Sequence, residues 1–371
     1  MLDIKREVVF TVLAGGQGTR FWPISRQAKP KQFLQLDGSN QSLLQAAIKR
    51  VQPLLKSCSS ASLLVIGNIS HKGLLKEQAG EADLILEPEG KNTAISIGLA
   101  ALYAKRRDPN AISVILAADH VVKNEDIFRE RLATAIRLAD QTSSLITLGI
   151  TPNSPHTGYG YIKRGELYQE GVYKVERFFE KPNLERAQQY LESGEYFWNS
   201  GMFIWRAESI LRAIEEFLPE TYSALKIIND GFSSGRLNQI LAEIFPRLQA
   251  ISVDFGVIEH SRDLLVVESG DIEWSDLGSW DSWAKECGER RSNSFDEGNF
   301  AGKNLTKGDA LLLDCENCIV NVEGTYVAAI GLKDIVVIDS GDALLVCQRD
   351  KLQDVRKVVE HLKRSGRNEL I

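Results

Sequence analysis

The sequence predicts an α/β protein with a Rossmann-like, mixed but mostly parallel sheet, followed by a small C-terminal β-domain of β-helix-like character. Two observations predict it. In the first 150 residues, short apolar runs that suit strands alternate with longer runs of helical periodicity. From about residue 308 onward, short apolar runs are separated by Gly or Asp turns. We therefore expect a large domain over residues 1–290 and a β-rich domain with a closing helix over residues 291–371.

The elements of the first domain follow from the spacing of its apolar residues. Expected strands cover Val8–Leu13, Leu63–Ile66, Ser113–Ala117 and Leu145–Gly149. Expected helices cover Leu43–Leu55, Ala94–Ala104 and Ile127–Ala139. Longer antiparallel strands are expected further on, at Gly158–Arg164, Tyr173–Phe179 and Phe203–Trp205. A helix is expected at Asn183–Leu191. Ligands of such sheets bind at the carboxyl ends of the strands, so the residues there are the first site candidates.

The composition changes after Trp283, where a stretch rich in Arg, Ser, Asn, Asp and Gly indicates a domain boundary. The pentapeptide Gly-Asp-Ala-Leu-Leu then occurs twice, at 308–312 and 341–345, as in a repeating β-domain. The expected strands are Ala310–Leu313, Cys318–Val322, Tyr326–Ile330, Ile335–Ile338 and Ala343–Cys347. The closing helix is expected over Leu352–Leu362.

Composition also limits the classes of partner. The 371 residues are 43% hydrophobic and carry a formal net charge of −6, which gives no general basic field for nucleic acid. The apolar stretch Val8–Ala14 is far shorter than the roughly 18 residues that a membrane helix needs. Five scattered cysteines in a large chain favour a reducing compartment. We expect a cytoplasmic protein without nucleic-acid or membrane partners.

A glycine-rich loop follows the first strand. Residues 13–20 read Leu-Ala-Gly-Gly-Gln-Gly-Thr-Arg, and such glycines let backbone N–H groups approach phosphate. The dinucleotide-binding pattern fails because its third glycine would fall on Phe21, and no Gly-Lys-Ser/Thr closes a Walker loop. Four cations, enough for a triphosphate, lie within twelve residues: Arg20, Arg26, Lys29 and Lys31.

Eight motifs then occur in an order that is typical of one family. They are Ala14–Arg20 with Trp22-Pro23, Pro30–Phe33, Gly90–Ala94, Ala118–His120, Thr157–Ile162, Phe179–Pro182, Trp198–Phe203 and Trp274–Trp280. With them the chain resembles the sugar-phosphate nucleotidylyltransferases, most closely the mannose-1-phosphate guanylyltransferases. It departs from that family at Ile95, where proline is expected, and at Phe255-Gly256, where a Tyr-Ala pair is expected.

The resemblance implies transfer of a guanylyl group from GTP to mannose 1-phosphate with Mg²⁺ as cofactor, in a homodimer. No general base is needed, because a phosphate monoester has a second pKa of about 6 and is already ionised. The site must supply positioning and positive charge instead. Physical argument alone leaves the base and sugar open. The alternatives are another sugar 1-phosphate (glucose, fucose or a heptose) and a non-catalytic subunit that senses nucleotide sugars.

The resemblance also assigns cationic residues. Arg20 and Lys31 are expected to contact the triphosphate. Arg20 would bind oxygens of the leaving pyrophosphate with its forked guanidinium, and Lys31 would act as a mobile point charge. Lys181 is expected to clamp the sugar phosphate, with Pro182 biasing its backbone to an extended conformation. Arg26 and Lys29 are interpreted as solvated loop charges. The tail beyond about residue 295 is expected to act through packing or dimer contacts, so truncation near residue 289 should leave reduced but measurable activity.

Asp119 and Asp276 are the expected metal ligands, since Mg²⁺ prefers hard oxygen ligands, and only the resemblance brings these two distant residues together. Asp119 could otherwise cap a helix, and Asp276 could shape an Asx turn. The resemblance places the remaining substrate contacts on Leu13, Ala14, Gly15, Gly16, Gly18, Thr19, Gly90, Asn92, Thr93, Ala94, Asp119, Gly160, Glu180 and Asn199.

Overall fold

The structure is a computed structural model that describes residues 4–16, 18–288 and 304–371. The boundary expected between residues 290 and 291 lies outside the described residues. Two compact units make up the chain. The first comprises Met1–Gly15, Gln45–Ala118 and Val122–Trp274. The second comprises Gly16–Leu44, Asp119–Val121 and Ser275–Ile371. It therefore contains both Gly16–Leu44, which we call the phosphate-loop segment, and the C-terminal tail.

The first unit is built on a sheet of nine strands among the described residues. In chain order, the strands up to residue 275 are β1 Val8–Ala14, β2 Ala61–Asn68, β3 Asp83–Glu87, β4 Ile112–Ala117, β5 Val121–Val122, β6 Leu145–Ile150, β7 Tyr161–Gln169, β8 Val172–Phe179, β9 Tyr196–Arg206, β10 Leu264–Glu268 and β11 Trp274–Ser275. The nine-stranded sheet has the order β3-β2-β1-β4-β9-β6-β10-β8-β7.

Seven of these nine strands run in one direction, and β8 and β9 oppose them. The central strands β1, β4 and β6 are continuous apolar runs because both of their faces are covered. The expected strand at Phe203–Trp205 is much longer, since β9 inserts between β4 and β6 and pairs antiparallel with both. The strand expected from Gly158 begins only at Tyr161.

Helices pack around this sheet, and side chains cap the N-termini of two of those described. Those up to residue 244 are α1 Leu43–Ser57, α2 Lys72–Gln78, α3 Thr93–Arg107, α4 Glu125–Gln141, α5 Leu184–Ser193, α6 Ala207–Phe217, α7 Pro219–Ser234 and α8 Leu237–Ile244. Asn183 caps α5 by accepting a hydrogen bond from the Arg186 amide, and Gly194 ends the helix in a left-handed conformation. A π-helical turn follows at Asp254–Ile258. No helix among the described residues combines the length and apolar character that spanning a bilayer requires.

The second unit contains the β-helix-like tail. Its elements are α9 Trp280–Gly288, β12 Leu305–Lys307, β13 Ala310–Leu313, β14 Ile319–Asn321, β15 Val327–Ile330, β16 Ile335–Asp339, β17 Leu344–Gln348 and α10 Val355–Arg364. Strands β12, β14 and β16 stack in parallel, as do β13 and β15, and β17 closes the first stack antiparallel. The predicted fold class is therefore confirmed.

The core of the second unit joins the phosphate-loop segment to the tail. Its buried side chains include Phe21, Trp22, Trp280, Trp283, Ile319, Val336, Ile338, Leu352, Val355 and Ile371. The Trp22 indole donates a hydrogen bond of 2.7 Å to the Leu370 carbonyl. Arg26 is not a solvated loop charge, because its guanidinium pairs with Asp342 at 2.6 Å and its side chain is only 15% exposed. The tail therefore supports the segment that carries Lys31.

Candidate active site

One buried lysine joins the two aspartates that were predicted to ligate a metal. The ammonium of Lys31 donates to Oδ2 of Asp119 at 2.9 Å and to the backbone carbonyl of Asp276 at 2.6 Å. It also lies 5.6 Å from the centre of the Phe21 ring. Lys31 is 5% exposed, so the expectation of a mobile point charge is wrong: three neighbours fix its position. We call Lys31, Asp119 and Asp276 the lysine–aspartate cluster.

The glycine loop is shaped to fit this lysine. Gly18 has a φ of 58°, and a Cβ added to it would lie 2.4 Å from the Cβ of Lys31, so a larger residue would displace the lysine. The side chain of Gln32 donates to the Gly16 carbonyl at 3.0 Å. Most of the predicted loop residues are accessible or partly accessible, namely Leu13, Gly15, Gly16, Gly18, Thr19 and Arg20, whereas Ala14 is buried. The loop can therefore present backbone groups to an anion.

Local turns orient the two carboxylates. Asp276 does form an Asx turn, since its Oδ1 accepts from the Gly278 amide at 3.0 Å. A Cβ on Gly278 would lie 2.8 Å from Oδ2 of Asp276, and the intervening Leu277 has a φ of 43°. Asp119 caps no helix, because α4 begins only at Glu125. The Asx turn considered for Asp276 is thus observed, whereas the helix cap considered for Asp119 is not.

The charge state of Asp119 suits a cation. Burial opposes its ionisation, but the charges of Lys31 and His120, together with the hydrogen bond from Lys31, outweigh that effect and hold the pKa of Asp119 below its ordinary value. Its side chain is still 39% exposed. No group of three or more potential ligands of the His, Cys, Asp or Glu type occurs within the described ranges. Two hard carboxylates fit Mg²⁺, which commonly takes one or two carboxylates and completes its shell with substrate phosphates and water.

A second group of predicted residues meets in the first unit. The Lys181 ammonium donates to Oε1 of Glu180 at 2.5 Å, and the Asn199 amide donates to the Gly160 carbonyl at 2.8 Å. A Cβ on Gly160 would lie 2.8 Å from Oε2 of Glu180, so this position has no room for a side chain. The Asn199 side chain in turn donates to Asp254 at 2.7 Å. We call these five residues the carboxylate pocket.

The backbone of Lys181 differs from the sequence expectation. Its φ is 46°, which lies in the left-handed region and not in the extended one that Pro182 favours. The chain turns at this residue from β8 into α5, and the contact with Glu180 holds the ammonium beside the pocket. The Lys181 side chain is 62% exposed, so its ammonium remains available to a phosphate.

The motif Gly90–Ala94 forms the entry to α3, and its polar groups are largely used by the protein. Asn92 has a φ of 65° and accepts from the Thr93 amide at 2.9 Å. The Thr93 hydroxyl accepts from the Val253 amide at 2.9 Å, and the Ala94 amide donates to the Ile251 carbonyl at 3.2 Å. These contacts connect α3 to the segment that leads to Asp254.

Glu87 is a candidate that the sequence reasoning missed. It ends β3 with 4% exposure, accepts from the Ser96 hydroxyl at 2.5 Å, and has Oε2 3.7 Å from a Cβ position on Gly15. Burial raises the pKa of Glu87 to about 7. The sequence contains a signal for Glu87, because this acid ends an apolar run just before Pro88. Asp119 was found in the same way, from its place at the carboxyl end of an expected strand. A Cβ on the nearby Gly90 would meet open space.

Asp254 is the second missed candidate. It opens the π-helical turn, a feature that is frequent at functional sites. Burial, reinforced by the negative charge of Glu180, raises the pKa of Asp254 to about 6. The available signal was an acid inside the apolar run from Val253 to Ile258.

The two departures from the family pattern have structural reasons. Ile95 is 2% exposed and lies in the hydrophobic core of the first unit, so its side chain contributes to packing of α3 and not to a binding surface. Gly256 is tightly enclosed, because a Cβ there would lie 2.8 Å from Leu218. Phe255 is 57% exposed.

Comparison with known proteins agrees with this architecture. The nucleotidyl transferase family matches residues 10–289, and the MannoseP isomerase/GMP-like beta-helix domain matches residues 308–362. A putative mannose-1-phosphate guanylyltransferase of Vibrio cholerae is 41% identical over 365 residues, covering 96% of this chain and 75% of the relative. The mannose-1-phosphate guanylyltransferase of Escherichia coli K12 is 40% identical over 374 residues, covering 96% and 74%.

A solved structure covers almost the whole chain. The crystal structure described as mannose-1-phosphate geranyltransferase from Thermus thermophilus superposes with a TM-score of 0.82 at 30% identity, covering 96% of this chain and 99% of the other. The motif resemblance, the matched domains and these relatives agree. The chain belongs to the nucleotidyl transferase family, in the group of the mannose-1-phosphate guanylyltransferases.

Proposed function

We propose that the chain transfers the guanylyl group of GTP to mannose 1-phosphate, giving GDP-mannose and pyrophosphate. The observation that carries the chemistry is the lysine–aspartate cluster, in which one ammonium contacts both Asp119 and Asp276. The choice of GTP and mannose 1-phosphate is supported by relatives that bear this name at about 40% identity.

The reaction is an in-line displacement at phosphorus. A phosphate oxygen of the sugar 1-phosphate forms a bond to the α-phosphorus of GTP, while the bond from that phosphorus to the α–β bridging oxygen breaks. The bridging oxygen keeps the electron pair and leaves as part of pyrophosphate. Because the attacking monoester is already ionised near neutral pH, the protein contributes orientation and charge stabilisation and no proton transfer.

The lysine–aspartate cluster would act on the triphosphate. Asp119 and Asp276 would hold Mg²⁺, which when bound neutralises phosphate charge and orients the leaving group. Lys31 supplies a fixed positive charge beside Asp119, at a position that its burial and its two acceptors define. Arg20, exposed in the turn after the glycine loop, adds a guanidinium for leaving oxygens.

Glu87 suits the role of base reader. In its ionised form Glu87 only accepts hydrogen bonds, and the two neighbouring donors of guanine, N1–H and the 2-amino group, would favour that form. Adenine has an acceptor at N1 and no 2-amino group, so a buried carboxylate would be left unpaired against it. Such a mismatch discriminates far more strongly than a changed apolar wall. The position of Glu87 beside Gly15 and Ser96 supports this role.

A matrix of nucleotides and sugar phosphates tests the proposal. We expect GTP with mannose 1-phosphate to give the highest kcat/KM in a coupled pyrophosphate assay, with GTP exceeding ATP and UTP by more than ~10-fold. ITP, which lacks the 2-amino group, should fall between GTP and ATP, and glucose 1-phosphate should be the poorer acceptor. A preference for UTP or dTTP with glucose 1-phosphate would overturn the substrate assignment but not the reaction type. Absence of pyrophosphate release with every pair would favour the non-catalytic alternative.

The two lysines should affect different substrates. Lys181→Met should raise the KM for the sugar phosphate by about tenfold or more, because a charge-assisted contact is lost. Lys31→Met, which keeps the buried aliphatic stem, should mainly impair use of GTP. Steady-state kinetics with each substrate varied would measure both effects. The matched control is Lys174→Met, because Lys174 is an exposed lysine on β8 that pairs with Glu166 on β7. If both variants changed the constants of the same substrate, this division of roles would be wrong.

A further inference from the structure

The side chain of Asn199 is already engaged by the protein. Its Nδ2 donates to Oδ1 of Asp254 at 2.7 Å, and because a carboxylate only accepts, this contact fixes which end of the amide is nitrogen. Its Oδ1 accepts from the Gly201 amide at 3.3 Å and lies 3.1 Å from the Thr147 hydroxyl. Asn199 also sits within β9, opposite Gly149, so its backbone is held as well. This arrangement orients Asp254 and leaves Asn199 little capacity for a ligand.

Asp254 is different, because it is only half-buried and faces a second acid. The charge of Glu180 acts on it, and burial together with that charge raises its pKa to about 6, so the carboxylate form still predominates near pH 7. Lys181 is the cation of the pocket, and its ammonium pairs with Glu180. Two neighbouring carboxylates offer acceptors and no donors. The complementary ligand is one with several adjacent hydroxyl donors.

Glycine at position 160 lets the backbone lie close to the Glu180 carboxylate. Gly160 has no side chain beside Oε2 of Glu180, where a Cβ would come within 2.8 Å. Its carbonyl is already used by the Asn199 amide, so the backbone there is fixed. A side chain at residue 160 would displace the Glu180 carboxylate or the Phe178 ring, so glycine there helps to define where the second acceptor lies.

We propose that Asp254 is a sugar-binding residue whose carboxylate accepts hydrogen bonds from ring hydroxyls of the sugar 1-phosphate, with Glu180 as the second acceptor. Asn199 is then a positioning residue that holds the Asp254 carboxylate. This inference rests on the proposed function in assuming a sugar 1-phosphate as substrate, and it assigns the hydroxyl contacts to a residue outside the predicted set.

Asp254→Asn is the informative variant. Asparagine has nearly the same shape as aspartate, and its side-chain carbonyl can still accept a hydrogen bond from Asn199. The contact with β9 is therefore kept while the negative charge is removed. We expect kcat/KM for mannose 1-phosphate to fall by about tenfold or more, with the KM for GTP changed less than about twofold. Asp230→Asn, an exposed aspartate on α7, is the matched control and should leave both constants unchanged. Retention of wild-type kcat/KM in Asp254→Asn would overturn the proposal.

A series of monodeoxy mannose 1-phosphates, each lacking one hydroxyl, separates binding from a structural role. If Asp254 accepts from a given hydroxyl, wild type and Asp254→Asn should use the analogue lacking that hydroxyl equally, within about threefold, while the other analogues keep the tenfold difference. An equal loss with every analogue would mean that Asp254 acts only through the fold, and the proposal would fall. Asp254→Ala, which also removes the contact with Asn199, should lose more than Asp254→Asn on every analogue.

The two proposals can fail separately. The wild-type rate with mannose 1-phosphate and GTP tests the proposed function, whereas the ratio between wild type and Asp254→Asn tests Asp254. Titration calorimetry with mannose 1-phosphate gives the corresponding ratio of dissociation constants without turnover. If the wild type used a different sugar 1-phosphate, the assignment of mannose would fall, and the ratio measured on the sugar phosphate that it does use would still decide the role of Asp254.

Discussion

Replacing Asp119 or Asp276 by asparagine should lower turnover at least ~100-fold, comparable to the loss of a main electrostatic element of an active site. The Asp119 carboxylate pairs with the Lys31 ammonium, and Asp276 contacts the same ammonium through its backbone carbonyl, so each substitution removes one of the two candidate carboxylate ligands of the lysine–aspartate cluster. Asparagine keeps the shape and a carbonyl acceptor, and the thermal unfolding midpoint should therefore change little. Pyrophosphate release at saturating Mg²⁺ measures the effect.

The matched control is Asp126→Asn, because Asp126 is 98% exposed in the first turn of α4 and should tolerate the change. A second readout is the Mg²⁺ concentration that gives half-maximal rate, which should rise in both active-site variants and stay constant in the control. Near wild-type turnover in either variant at saturating Mg²⁺ would remove that residue from the proposed metal site.

A chain ending at Gly288 should have no detectable guanylyl transfer. The sequence predicts reduced but measurable activity for this truncation, and the structure leads us to a stronger expectation. Phe21, Trp22 and Trp280 lie in one core with side chains of the tail, and each large apolar side chain returned to water costs about 1.5–3 kcal/mol. The Lys31 segment would lose its support, which limited proteolysis between residues 16 and 44 should reveal together with the loss of activity.

Trp22→Phe is the control for this prediction. It keeps the aromatic packing and removes the hydrogen bond to the Leu370 carbonyl, so it should retain activity within a few-fold of wild type. A soluble truncated chain with substantial turnover would show that the phosphate-loop segment is held without the tail. A truncated chain that stays folded and protease-resistant but inactive would place a catalytic contribution in the tail itself.

Sequence reasoning was sufficient where local pattern determines structure. β1, β4 and β6 are continuous apolar runs, and Asp119 directly follows one of them, so both the strands and the candidate ligand could be inferred. The position of β9 between β4 and β6 could not, because hydrophobic periodicity carries no information on the spatial order of strands.

The site residues show the same limit. Lys31 is a cation in a glycine-containing loop, and only its tertiary neighbours Phe21, Asp119 and Asp276 explain its burial. The Asn199 motif marks the right region, but the contact that fixes its amide comes from Asp254, 55 positions later in the chain. An acid inside the apolar run from Val253 to Ile258 was a signal for Asp254, but a sequence pattern does not show which distant residue such an acid contacts.

The left-handed conformations of Asn92, Lys181 and Leu277 have a consequence for stability. A non-glycine residue in such a conformation costs on the order of 1–3 kcal/mol, whereas an entire domain is stable by only about 5–15 kcal/mol. All three occur in motifs assigned to substrate or metal, and none lies within a strand or helix interior. A considerable share of the folding free energy is thus consumed at positions within the motifs that we propose to bind substrate or metal. Selection for a more stable chain and selection for a more precise site would act on these three residues in opposite directions.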